Sequence, residues 1–274
     1  MLQFVNRDID ARPLALARII IGLASFLLPV EWLKPMLRVA SGDYLALPVF
    51  DGLPSVPTAA VYGLFAVSLL GSAAMVMGIF GGLPALAVAA CSAIVLLADQ
   101  QVYSNHFLLL VMLCTFIGLS GASKAMTVLR PKATQPVPYW PAFLIKAQIT
   151  TLYAWTAISK VNPQYLSGDV LADQLRPWVP VPDSLLPAVA VTSIVVEAFL
   201  AVALWLPRTR LLAFIAGFGL HVGILVLLLY PGPLISFAML MSSGYVLFAH
   251  ESLVSGQWRI PGRGARVRAA HAAQ

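Results

Sequence analysis

The chain has 274 residues, of which 60% are hydrophobic and only 10% charged, with a formal net charge of +6. A globular domain carries about 25% charged residues. This chain has too few polar groups to cover a water-facing surface, so lipid must form part of its solvent and a soluble enzyme is excluded. The positive charge sits at the edges of apolar runs and after Trp258, which is a pattern of membrane orientation and not of nucleic-acid binding.

In chain order, the apolar runs predict helices near Pro13–Trp32, Thr58–Phe80, Leu83–Ala98, His106–Ala122, Pro141–Lys160, Ser184–Leu206, Leu211–Tyr230 and Pro233–His250. Spanning needs about 20 mostly apolar residues, and each run is too long and too uniform for a strand. The fold class is therefore all-α, a polytopic integral membrane bundle of about eight transmembrane helices. The first run is retained rather than cleaved, because Arg18 interrupts it and no small-x-small site follows. Gly81-Gly82 reads as a turn between antiparallel helices, with a re-entrant unit as the alternative. Leu33–Pro57 and Val161–Asp183 are proline-rich and read as interfacial loops with amphipathic turns. Ser123–Trp140 is a basic loop. Residues 1–250 form one transmembrane domain, and residues 251–274 a short, basic, disordered cytoplasmic tail.

Charge placement sets the expected orientation. With a cytoplasmic N-terminus and an even number of spans, Arg7, Arg12, Lys124, Arg130, Lys132, Arg208, Arg210 and the arginines after Trp258 all lie inside. Only Lys34, Arg38 and Arg176 lie outside. Both termini are therefore expected in the cytoplasm, with the chain multi-pass in the cell membrane.

A charged group at membrane depth is costly and is by default a functional hypothesis. Arg18, Lys146 and Glu197 fall in the inner half, where Glu197 is expected to neutralise Arg18 or Lys146; Arg18 snorkelling inward is the alternative. Gln148 belongs to the same layer. His221 falls near the middle of its helix. Lys160, Asp99 and His106 fall near the outer end, where Lys160 either snorkels or forms a site. Lys146, Tyr153 and Lys160 are spaced seven apart, nearly two helical turns, so they share one face that must meet protein or a cavity. Cys91 and Cys114 lie in apolar runs without a Cys-x-x-Cys pattern, and read as small buried hydrophobes; a thiol–disulfide quinone reductase is not expected. No metal site is expected.

Three stretches carry a family resemblance. They are Tyr103-Ser-Asn-His-Phe-Leu, with Asn105-His106 opening a helix; Val137-Pro-Tyr-Trp140 followed by Lys146-Ala-Gln148-Ile149, Tyr153, Lys160 and Gly168; and Glu197 in one helix with His221 in the next. Together they resemble the vitamin K-dependent gamma-carboxylase and its wider group, the horizontally transferred transmembrane (HTTM) domain proteins. The resemblance runs from about Pro13 to His250. It implies a helical bundle that binds a reduced naphthoquinone as cofactor. It also implies that Lys160 is the base that deprotonates the hydroquinone, with His106 and His221 as the family's histidines. The quinone pocket is expected to include Asn105, Tyr153, Trp155 and Tyr165. Such a base must be neutral, so it needs apolar surroundings that disfavour the ammonium form.

The chain departs from the carboxylase at Ser159, where a lysine precedes the catalytic lysine, and in the apolar run after His221. It also ends in a short basic tail where the carboxylase has a large extramembrane domain. Quinol-linked chemistry on a peptide or small-molecule acceptor is therefore expected, rather than carboxylation of protein glutamates. Lipid and quinone are the expected partners, and nucleic acid is not. A non-catalytic membrane scaffold that keeps the fold is the alternative. A transporter ranks last, because no matched pair of broken helices is visible.

Overall fold

The computed structural model describes residue 4, residues 6–131 and residues 134–254, with side chains through Ala249. Lys132 and the tail from residue 255 lie outside the described residues, and with them most of the expected basic tail. The helices are α1 (Arg12–Ala24), α2 (Leu28–Ala40), α3 (Thr58–Met77), α4 (Leu83–Ala98), α5 (Asn105–Leu119), α6 (Trp140–Ser159), the short α7 (Pro163–Leu166) and α8 (Asp169–Gln174), α9 (Leu186–Ala203), α10 (Arg210–Leu227) and α11 (Pro231–Val254). Five segments are long and apolar enough to cross a membrane: Arg12–Ala40, Thr58–Met77, Asp183–Ala203, Arg210–Leu227 and Pro231–Ala249. Leu83–Ala98 and Asn105–Leu119 are apolar but shorter. The all-α membrane class stands.

Two expectations need correction. The first apolar run is not one helix to Trp32. It breaks at Ser25–Leu27 and resumes as α2, which continues through Pro35 to Ala40. Pro29 sits in the first turn of α2, where its missing N–H costs nothing, whereas it would interrupt a continuous ladder. The proline-rich loop therefore begins at Ser41, not at Leu33. Two short strands were also unforeseen. Asp8–Asp10 (β1) pairs antiparallel with Pro136–Pro138 (β2), Ile9 opposite Val137. This ribbon ties the chain ahead of α1 to the chain ahead of α6. The Gly81-Gly82 turn is as expected: α3 and α4 form an antiparallel pair, and a Cβ on Gly82 would overlap the Gly118 carbonyl, so the turn packs directly on α5.

Successive spans alternate in direction, with α1 and α2 together forming the first, so the bundle has two ends. One end, here the near end, holds the start of α1, the start of α6, the end of α9 and the start of α10. The other, the far end, holds the end of α4, the start of α5, the end of α6 and the start of α9 and α11. Helix α1 is central and packs on α3, α5 and α11. Its buried face is Leu14, Ala15, Ala17, Arg18 and Ile21. Helix α11 joins α1 to α6 and α10, and α9 packs on α6 and α10. Helices α9 and α10 lie at the periphery with Val191, Val195, Leu212, Ile215 and Phe218 exposed, an apolar surface that matches lipid.

Candidate functional site

At the near end, three buried cations are held by rings and carbonyl oxygens. Arg18 donates to Met126 O at 2.7 Å and Ala122 O at 3.4 Å. It fills the space under Gly78, where a Cβ would lie 2.3 Å from its Nη1. Lys146 is 1% exposed and its Nζ stands about 5 Å from the ring centres of Tyr139, Trp205 and Phe248. Arg210 donates to Leu204 O at 2.9 Å and reaches Phe248 O at 3.3 Å, joining the α9–α10 corner to α11. Gln148 is half-buried and makes no side-chain hydrogen bond among the described residues.

Glu197 does not belong to that layer. Its Oε1 accepts from Lys160 Nζ at 2.7 Å, with the two side chains 6% and 25% exposed. Side-chain direction explains the correction. Side chains lean toward the N-terminus of their own helix. Helix α6 runs from the near end to the far end, so Lys160, capping its C-terminus, leans back into the bundle. Helix α9 runs the opposite way, so Glu197 leans toward the far end. The two converge, while Lys146 leans away. Counting depth along the chain placed each group at its own Cα and missed this.

The other site residues fall into three groups. Tyr165 lies beside the ion pair: the Lys160 Nζ is 5.3 Å from its ring centre, and its hydroxyl shares a 2.8 Å hydrogen bond with Ser193. Tyr153, 1% exposed, hydrogen-bonds through its hydroxyl to His221 Nε2 and to the Tyr245 hydroxyl, both at 2.8 Å. His106 is elsewhere. Its Nε2 meets Glu31 Oε2 at 2.8 Å and Ser104 at 3.2 Å, and Ser236 donates to the other Glu31 oxygen at 2.7 Å. Asn105 is exposed and takes a hydrogen bond from Tyr103. Trp155 is 67% exposed. It follows Tyr153 by two residues, about 200° around the helix, so it points away from the Tyr153 face.

An apolar cavity of about 690 Å3 opens between α9, α10 and the α7–α8 segment. Lys160, Tyr165 and Ser193 lie in its wall with Thr192 and Gln174; the rest is mainly aliphatic. Of the four expected pocket residues only Tyr165 lines it, together with the expected base Lys160. His106 and Asn105 are separated from it because α5 packs on α1, α4, α6 and α11, and the cavity lies beyond α6 and α11. The α7–α8 segment closes the far end. Arg176 donates to Leu228 O at 2.8 Å and Leu225 O at 3.1 Å, and Leu175 pairs with Leu228. A basic side chain thus caps the unsatisfied carbonyls at the end of α10.

Sequence reasoning missed Glu31, Ser193 and Tyr245. Glu31 had a signal, being an acid within the apolar run Leu27-Leu-Pro-Val-Glu-Trp-Leu, where it needs a partner. Ser193 and Tyr245 had none, since a hydroxyl in an apolar helix is satisfied locally as often as across the bundle. Among the described residues no group of three or more His, Cys, Asp or Glu side chains comes together as a metal site.

The fold and the cavity define a polytopic helical membrane protein with a carboxylate-paired lysine in the wall of an apolar pocket. The sequence profile of the HTTM domain matches residues 6–251, and the chain belongs to that family, which is related to the vitamin K-dependent carboxylases. No solved structure matches the chain.

Proposed function

We propose that the protein is a quinol-linked membrane enzyme in which Lys160, paired with Glu197, deprotonates a reduced naphthoquinone bound in the α9–α10 cavity. The observation that carries this reading is the position of Lys160 in the wall of that cavity, with Glu197 bonded to its Nζ from behind the wall. The residues fit such a ligand. Pockets for small molecules run about 300–1,000 Å3 and are mostly apolar with few polar groups, as here. Tyr165 and Ser193 offer hydroxyls at the same edge. The second Glu197 oxygen is buried with no hydrogen-bond partner among the described residues, so the pair has room for one more donor. When bound, the hydroquinone supplies reducing equivalents and an acidic O–H.

The Lys160–Glu197 pair does the proton work. Moving the proton across the 2.7 Å bond from Nζ to Oε1 leaves an amine and a carboxylic acid, which removes two charges from apolar surroundings. The amine then holds a lone pair beside the cavity, which a base requires. Tyr165 flanks the ammonium and positions it. The Tyr245–Tyr153–His221 chain lies further along the same face of α6, and it supports that helix against α10 and α11.

The test is substitution of Lys160. With dioxygen as the two-electron acceptor of this reading, Lys160→Ala should lower quinol oxidation by about 100-fold or more, the range of a general base. Lys160→Arg should fail as completely, because a guanidinium stays protonated. The same ion pair also pins α6 to α9, as it would in a non-catalytic scaffold, and there arginine would serve as well. Full activity in Lys160→Arg removes the base assignment. The expected orientation has its own check: reporters ahead of α1 and in the Arg176–Pro182 loop should lie on opposite sides of the membrane, the first in the cytoplasm.

A further inference from the structure

Most glycines inside these helices are explained by close packing. A Cβ on Gly217 would lie 1.9 Å from the Tyr245 hydroxyl oxygen, one on Gly244 would lie 2.2 Å from Ile149, and one on Gly71 would lie 2.8 Å from Val88. Gly219 and Gly223 have no such reason. They sit one turn apart on α10, both line the cavity, and a Cβ on either meets nothing within 4 Å. Gly63 is also open, but it faces a shallow groove beside Pro54 and Pro57. A glycine in a helix interior costs about 1 kcal/mol relative to alanine. At these two positions nothing among the described residues fills the space that alanine would take.

The opposite wall matches. Ala188, Thr192 and Val196 of α9, at successive turns, are small or slim and line the cavity too. Flanked by Leu220 and Ile224 of α10 and Val189 of α9, which also line the cavity, these small residues leave a narrow slot along the two helices, and Lys160 stands in the wall of the same cavity. A flat ring fits such a slot. Bulky or branched headgroups do not.

We infer that Gly219 and Gly223 are specificity-determining residues that admit a planar bicyclic ring from the lipid between α9 and α10 and hold it against bare helix backbone. This rests on the quinone reading of the cavity. Lys160 then meets a ring oxygen while the ring face lies on α10. A lipid acyl chain would also fill apolar volume, but it needs no flat slot and no fixed distance from Lys160.

The experiment uses the full chain in detergent and 2,3-dimethyl-1,4-naphthoquinone, a planar ring without a tail or a free Michael position. Equilibrium binding is measured for the wild type, Gly219→Leu, Gly223→Leu and the lipid-facing control Phe218→Leu, whose parent side chain is 73% exposed. Each glycine variant should weaken binding at least about tenfold, with Phe218→Leu unchanged. Gly219→Cys provides a measurement that adds little bulk. Its thiol should be alkylated by a membrane-permeant maleimide and protected by the ring, against a background of two cysteines that are both buried. If the wild type binds but the leucine variants bind equally well, or the thiol is not protected, the slot assignment falls while the quinone reading stands. If the wild type does not bind the ring, the quinone reading itself falls, and the slot with it.

Discussion

Lys146 and Lys160 are the same residue type on the same face of α6, about 21 Å apart along the helix axis. Their surroundings differ. Lys146 is 1% exposed and enclosed by Tyr139, Trp205 and Phe248, with packed side chains on every side that these rings cover. Lys160 keeps a quarter of its side chain exposed, faces free volume and touches a carboxylate whose second oxygen has no hydrogen-bond partner among the described residues. Aromatic rings attract an ammonium but cannot take its proton; a carboxylate can do both. A buried cation is therefore architectural where it is walled in. It becomes chemical where a proton acceptor and an open space adjoin it.

Glu197→Gln tests the chemical side with the largest expected effect. The amide keeps the shape and can accept a hydrogen bond from Lys160, but it cannot take the proton. Quinol oxidation should fall by about 100-fold or more, while the melting temperature changes far less. Unchanged turnover would show that Lys160 works without its partner and would break the contrast with Lys146. Lys146→Met tests the architectural side. It should lower unfolding stability by about 1 kcal/mol or more through loss of the ring contacts, with naphthoquinone binding and oxidation as in the wild type. Lost oxidation in a folded Lys146→Met protein would mean that the two ends act as one machine.

The smallest effect belongs to the ribbon at the near end. Asp10 accepts from the Arg12 guanidinium at 2.7 Å and 2.5 Å, and from the Arg12 N–H and Thr134 hydroxyl. The Arg12 hydrogen bonds hold its carboxyl down at about 2, below the ordinary 3.8. A depressed carboxylate contributes stability above its unfolded value and loses it as pH falls through the folded one. The ribbon should thus weaken between about pH 4 and pH 2, and Asp10→Asn should flatten that segment of a melting-temperature profile. Arg12 is largely solvated, so the change should be slight.

Much of the architecture was legible because apolar runs of helical length have few alternatives in a membrane. The burial of Arg18, Lys146 and Tyr153 followed from the same reasoning, as did the antiparallel turn at Gly81-Gly82. Pairing was less legible. Glu197 was expected beside Arg18 or Lys146 because sequence gives heights along a helix but not the lean of each side chain, and lean decides which cation it meets. His106 and Lys160 share an end of the bundle and were expected to share a pocket. Two intervening helices, α6 and α11, put them in different places. Sequence position fixes depth well and lateral position poorly, and a site needs both. Trp155 is a simpler case, since two residues from Tyr153 already places it on the other side of the helix.

The bond from Arg18 to Met126 crosses 108 residues of chain. At a synthesis rate of about 5–20 residues per second, the first helix leaves the ribosome about 5–20 seconds before its carbonyl acceptor is made. A lone arginine near the middle of a helix resists entering the bilayer by about 3 kcal/mol. During that interval α1 is poorly disposed to settle among lipid tails on its own, and α11, its principal neighbour, emerges after all the other described helices. The segment that begins the chain is therefore among the last to reach its final place. Insertion machinery that shelters one reluctant helix until four more have appeared is a requirement written into that single long-range contact.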